Sequence, residues 1–199
     1  MLSTDSEAPA AGTRAPVPVK IIVAGGFGVG KTTLVGAISE IPPLTTEAAM
    51  TSLAVGVDDV DAVSTKTTTT VAMDFGRITV DESLRLYLFG TPGQDRFGFM
   101  CNELTSGALG AIVLVDSRRI DDSFPAIDYF ESRKLPFVVA VNRFAGSLIH
   151  DLEEVRSALD VDVDVPVVGT DARSREAVKV TLLALLDVVL QRALARQAG

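Results

Sequence analysis

The sequence predicts an α/β domain in three layers: a six-stranded, mostly parallel sheet with one antiparallel edge strand, covered on both faces by about five helices. Three observations lead there. Six short β-branched runs alternate with helical patterns along the 199 residues. Four of the runs are almost wholly apolar, as a strand must be when both its faces are covered. Two consecutive runs are joined by a turn too short for anything but a hairpin, which places one antiparallel strand at a sheet edge.

Taken in order, residues 1–16 are rich in Ala, Ser, Thr and Pro, with neither a basic start nor an apolar central run. They read as a disordered tail, not a secretory signal, ahead of one domain at 17–199. Strands are expected at 17–24, 71–78, 84–89, 111–116, 137–142 and 165–168, the second and third joined by the polar turn 79–83. Helices are expected at 31–39, 94–106, 122–133, 148–159 and 174–195. In the last of these, Val178, Leu182, Leu185 and Val189 form one apolar stripe that Leu183, Leu186 and Leu190 widen, a pattern that core packing explains. The stretch 41–70 holds paired prolines, many threonines and acidic residues, and little periodicity. It is long for a structureless loop in a compact domain, and such loops tend to be functional.

Composition narrows the classes. Hydrophobic residues make up 47% and charged residues 22%, an ordinary globule and not a disordered chain. With 18 Lys+Arg against 26 Asp+Glu the net charge is -8, which lacks the positive field that non-specific nucleic-acid binding needs. The single cysteine, Cys101, excludes an intramolecular disulfide and a Cys-rich zinc site and fits a reducing, cytoplasmic setting. It is expected to be packed in a helix. No apolar run approaches the roughly 20 residues that span a bilayer, so recruitment to the inner membrane face would need a partner. His150 has no ligand-spaced companions and reads as a surface or capping residue.

The chemistry is concentrated where the first strand ends. Gly25-Gly26-Phe27-Gly28-Val29-Gly30-Lys31-Thr32 matches G-x-x-x-x-G-K-[ST], between a predicted strand and a predicted helix as that motif requires. Glycines let backbone N–H groups turn in on phosphate oxygens, and the helix N-terminus adds its partial positive charge. Lys31 neutralises the β- and γ-phosphates, and the Thr32 hydroxyl suits Mg²⁺. Gly25, Phe27, Gly28, Val29, Gly30, Lys31, Thr32 and Thr33 are therefore the expected polyphosphate site.

About 60 residues on, Gly90-Thr91-Pro92-Gly93-Gln94 follows a strand and resembles the second switch of Ras-like small GTPases. Thr70-Val71-Ala72-Met73-Asp74-Phe75 resembles the end of their first switch. Ala140-Val141-Asn142-Arg143-Phe144-Ala145 stands where the family has N-K-x-D, and Thr170-Asp171-Ala172-Arg173 where it has its second base loop. The Thr-Pro-Gly-Gln segment without a preceding aspartate is similar to bacterial MglA-type GTPases, and closest to those encoded in actinobacterial conservon operons. The resemblance covers about residues 17–195. It implies a Ras-like fold, GTP and GDP with Mg²⁺, and a roadblock (LC7, MglB-like) regulatory partner, with other conservon-operon products as further candidates. It also implies roles: Gln94 orienting the attacking water, Thr70 and Thr32 as Mg²⁺ ligands, Lys31 and Gly93 on the phosphates, and Asn142, Arg143, Asp171, Ala172 and Arg173 about the base.

Two departures bear on chemistry. Gly90 stands where many relatives hold Mg²⁺ through a water with an aspartate, which leaves Thr32, Thr70 and phosphate oxygens and a weaker expected metal grip. Ala145 stands where the family's aspartate bonds guanine. Losing two charge-assisted bonds costs roughly a hundredfold or more in discrimination, which leaves guanine against adenine open. Asp171 is a second candidate for that base edge, or else a solvated loop carboxylate or helix cap. Slow hydrolysis is expected, since no arginine is assigned to the transition state; Arg96 reads as a partner in a surface ion pair. Phe97, Phe99 and Met100 read either as core or as a partner anchor. The rival reading is a nucleotide-binding scaffold of relaxed specificity with little turnover.

Overall fold

The computed structural model describes residues 15–42, 44–50, 69–92, 102–144 and 150–198. Among these, β1 (Val17–Ala24) leads into α1 (Lys31–Ile38), followed by β2 (Leu44–Met50), β3 (Thr69–Thr79), β4 (Leu84–Gly90) and β5 (Ala108–Val115). A 3-10 turn (Ile120–Ser123) then enters α2 (Phe124–Ser132), and β6 (Phe137–Asn142), α3 (Leu152–Leu159), β7 (Val167–Thr170) and α4 (Arg175–Ala198) complete the chain. Residues 102–105 are also helical and belong to the helix expected at 94–106, whose earlier part lies outside the described residues, as do Cys101 and the expected tail at 1–14.

The strands form one sheet in the order β2-β3-β4-β1-β5-β6-β7. Every expected strand is present, and a seventh, β2, lies within the stretch read as a long loop. Only β3 runs against its neighbours, pairing antiparallel with both β4 and β2. The hairpin partner predicted for the edge therefore has one more strand outside it. The hairpin register sets Asp74 opposite Gly90 and Phe75 opposite Phe89.

Strand alternation divides the core between two layers. Ile21 and Val23 of β1, Ile112 and Leu114 of β5, and Val138 and Ala140 of β6 face α1 and α4, where they meet Leu34, Val35, Val178, Leu182 and Leu185. Their neighbours Ile22, Ala24, Val113, Val115, Val139 and Val141 face α2 and α3, against Ile127, Phe130, Val155 and Leu159. Burial on both faces is what the unbroken apolar runs required. The stripe on α4 is narrower than its sequence suggests: Val178 and Leu185 are fully buried, whereas Leu183 and Leu190 are 64% and 55% exposed. One stripe suffices because α4 lies along a single sheet face.

The connections leaving β1 and β5 go to opposite faces, α1 to one layer and α2 to the other. Adjacent parallel strands that diverge this way leave a crevice beyond their C-terminal ends, the place where open α/β sheets bind ligands. Asp151 caps α3, accepting from the Glu153 N–H, and the Glu154 carboxylate accepts from the Asp151 N–H. His150 rests 3.7 Å from Glu154 at this exposed corner, a surface role as expected.

Phe130 is fully buried between α2 and the sheet. Phe130→Ala is expected to cost about 3–5 kcal/mol, read as a lower urea midpoint at unchanged slope.

Candidate nucleotide-binding site

Residues 25–30 bend the chain from β1 into α1 across the mouth of the crevice. Gly25, Gly28 and Gly30 take φ values of 135°, 70° and 107°, which L side chains rarely adopt, so glycine at these places is a requirement of the bend. Gly30 occupies the cap position of α1 without a side-chain cap, and no acidic residue stands in the first turn. The helix N-terminus is thus left to an anion.

Lys31 folds back over the loop, its Nζ donating to the Gly25 carbonyl at 2.9 Å and the Gly26 carbonyl at 2.7 Å. Burial lowers its pKa to about 8, with Asp74 pulling in the opposite direction. Val29 is buried beneath the loop.

Thr32 brings the feature the sequence reading did not find. Its Oγ1 donates to Asp74 Oδ2 at 2.6 Å, from α1 across to β3. Asp74 faces Gly90 across the hairpin, and a Cβ at Gly90 would lie 2.9 Å from the Asp74 Cβ and 3.0 Å from its Oδ2. The glycine at 90 on β4 leaves room for the Asp74 side chain on β3. A hydroxyl joined to a carboxylate is an oxygen donor set of the kind a hard divalent cation takes, alongside phosphate and water oxygens. Thr70 lies four residues farther out on β3, paired in register with Ala49, about 13 Å along the strand from Asp74. Of the two threonines expected at the metal, Thr32 is the one that the structure places in contact with a carboxylate, that of Asp74. Thr91, next to Gly90, is 3% exposed and its hydroxyl has no partner among the described residues. Gly93, Gln94, Arg96, Phe97, Phe99 and Met100 lie outside the described residues.

At the other end, Asn142 ties the loops together. Its Nδ2 donates to the Val29 carbonyl at 2.9 Å and its Oδ1 accepts from the Ala172 N–H at 3.1 Å. A cavity of about 210 Å³ opens between Gly28, Gly30 and Thr33 on one side and Asn142, Arg143, Phe144, Asp171, Ala172 and Arg173 on the other. The residues expected about the base are therefore together. Asp171, however, is engaged: it accepts from the Arg173 backbone N–H at 3.0 Å and from its Nε and Nη2 at 2.9 Å each. These bonds hold its carboxyl down to about 2, and the anion is turned to Arg173 two residues on. Ala145 is outside the described residues.

Beyond β5, buried Asp116 is clamped by Arg118, which donates from Nε at 2.8 Å and Nη2 at 2.7 Å and lies 4.3 Å from the Phe144 ring centroid. Those Arg118 bonds lower the Asp116 pKa. Arg119 reaches the other way and donates to the Phe27 carbonyl at 2.8 Å. Neither arginine carried a sequence signal.

Over residues 23–192 the chain matches the family described as "Conserved hypothetical ATP binding protein". The chain belongs to that family. It is also 32% identical over 127 residues to an uncharacterized protein of Methanocaldococcus jannaschii, a match covering 63% of this chain and 70% of that one. Among solved structures it resembles the G domain of the T. maritima FeoB iron transporter, with a TM-score of 0.61 at 19% identity over 86% of this chain and 99% of that one. The cytosolic domain of the same transporter in apo form gives 0.62 at 18% identity, covering 87% of this chain and 64% of that one. The fold of this ATP-binding family member is the P-loop nucleotide-binding fold of G domains. No helix among the described residues is long and apolar enough to cross a membrane.

Because Lys31 is partly neutral near pH 8 and a polyphosphate selects its charged form, binding takes up protons there. Sulfate, an anion with no titrating proton of its own near pH 8, isolates that uptake, and its affinity is expected to fall as pH rises through about 8. Calorimetry in buffers of different ionisation enthalpy checks this: net uptake at pH 8 that fades by pH 6.5 is the expected result, and buffer-independent heats at pH 8 contradict it.

Proposed function

We propose that the protein is a regulatory GTPase of slow turnover, a switch that binds GTP or GDP with Mg²⁺ and hydrolyses GTP to GDP and phosphate. The observation that carries this reading is the Thr32–Asp74 pair beside Lys31 at the mouth of a glycine-bent loop. It supplies a hydroxyl, a carboxylate and a cation where a triphosphate would rest on the N-terminus of α1.

In this reading the loop amides and Lys31 bind the β- and γ-phosphates, with Lys31 leaving its two carbonyl partners for phosphate oxygens. Thr32 would hold the metal directly, and Asp74 would orient its hydroxyl and add the negative charge that Gly90 lacks. Mg²⁺, when bound with the nucleotide, supplies neutralisation of charge across the β- and γ-oxygens. Gln94 orients the attacking water, and Thr70 belongs to the segment that closes on the γ-phosphate, both by resemblance to the Ras-like family. The partner is a roadblock-fold protein of the MglB type, again by resemblance, and it reads which nucleotide is bound.

A second reading, a scaffold that accepts ATP as well as GTP and turns over little, is favoured by one observation. Asp171 is committed to Arg173, so the carboxylate best placed to replace the missing one at Ala145 is already engaged. Titrating GTP, GDP and ATP into nucleotide-free protein with Mg²⁺ separates the two. The switch reading expects tighter binding of guanine nucleotides, and equal affinities for GTP and ATP would replace it with the scaffold.

Asp74→Asn is expected to raise the Mg²⁺ concentration for half-maximal GTP binding about tenfold, while leaving tripolyphosphate binding without metal unchanged or tighter. Unpartnered hydrolysis is expected well below one turnover per second, and Gln94→Ala is expected to lower it further with little change in GTP affinity. Phosphate release by the purified parent and variant measures both, and a variant as fast as the parent removes Gln94 from the mechanism.

A further inference from the structure

The crevice beyond β1 and β5 has two lips. One is the glycine-bent loop, and the other is the segment 116–122 that follows β5. They are in close contact: a Cβ at Gly26 would lie 2.5 Å from that of Asp122, and a Cβ at Gly28 would lie 3.9 Å from Arg119 Nη2. The same Nη2 donates to the Phe27 carbonyl. A guanidinium therefore rests on the stretch of loop whose amides are to hold phosphate.

The two neighbouring arginines differ in how firmly they are held. Arg118 makes a bidentate pair with buried Asp116 and lies over Phe144, a commitment that a ligand would have to break at high cost. Arg119 has a neutral carbonyl, a contact of 3.6 Å to half-exposed Asp122, and a contact of 3.9 Å between its Nε and the Asp116 carboxylate, which Arg118 already satisfies. The Asp122 contact is an exposed pair and contributes little, and the contact to buried Asp116 is long, with the hydrogen bonds of that carboxylate taken by Arg118. A phosphate oxygen offers a charge-assisted, forked partner in exchange for a neutral one. The Phe27 ring is 65% exposed, so it is turned to solvent.

We infer that Arg119 is a second cationic contact to the polyphosphate, provided by this chain from the β5 lip of the crevice opposite Lys31. The inference rests on the nucleotide-binding reading above. In it, Arg119 exchanges the Phe27 carbonyl for a phosphate oxygen, and Asp122 holds the segment against Gly26 while it does so.

The test uses the full chain and three probes: inorganic tripolyphosphate, GTP with Mg²⁺, and guanosine. Arg119→Gln removes the charge and retains an amide N–H; Arg119→Lys retains the charge. The expected result is about tenfold weaker binding of tripolyphosphate and GTP to Arg119→Gln, recovery to within threefold in Arg119→Lys, and unchanged binding of guanosine. Thermal midpoints within a degree or two of the parent show that the lip still folds. If Arg119→Gln alone unfolds, the comparison of Arg119→Lys with Arg119→Ala takes its place. Equal affinity of parent and Arg119→Gln for both phosphates overturns the inference and leaves the nucleotide reading intact. A parent that binds neither tripolyphosphate nor any nucleotide overturns both.

Discussion

The site depends on the two hydrogen bonds of one amide. Asn142, only 7% exposed at the end of β6, donates to the loop after β1 and accepts from the loop after β7. Three loops that meet at one sheet edge are thereby fixed relative to one another, and the strands beneath are too tightly packed to let them drift. An aspartate at 142 would lose the donor and a leucine both bonds. Either change would release the phosphate end from the base end without touching the core. The cap position of α1 has no side chain, so the N–H groups of its first turn stay open to an anion while Asn142 fixes the loop just before them.

With that frame in place, the carboxylate near Thr32 shows how a sheet can move a charge without moving the chemistry. Facing residues of neighbouring antiparallel strands lie about 5 Å apart, so a carboxylate transferred from position 90 to position 74 stays within a side chain's length of the same hydroxyl. A Cβ at position 90 would press on the Asp74 side chain as it stands. The pair Gly90 and Asp74 is best understood as a single unit.

Much of this was legible in the chain. The phosphate loop announced itself because its chemistry is local: a strand, a bend that only glycine can make, a lysine and a threonine, all within eight residues. The sheet was legible because β1, β5 and β6 are apolar on both faces. What escaped was long-range. Asp74 and Thr32 are 42 positions apart, and their meeting depends on the register of a hairpin that the residues 79–83 set but do not advertise. Strand β2 escaped because Thr and Glu in Leu44–Met50 hide its alternation behind paired prolines. Asp171 was legible as a carboxylate in the right loop, and its capture by Arg173 two residues on was a matter of turn geometry.

The acidic chain and its anionic ligand are reconciled by where the charges lie. A net charge of -8 would repel a triphosphate if it were evenly spread, yet Lys31, Arg119, Arg143 and Arg173 gather about the one crevice. Field lines are focused in a low-dielectric cleft, so a few cations there outweigh many anions on distant, screened surface. Asp74, Asp116, Asp122 and Asp171 stand at the same crevice and offset much of that charge, Asp116 and Asp171 each paired with an arginine two residues on. The cations left to meet phosphate are those whose present partners are backbone carbonyls. Lys31, held by the Gly25 and Gly26 carbonyls, is of this kind, and a carbonyl is a partner that a phosphate oxygen can replace with a gain in charge attraction.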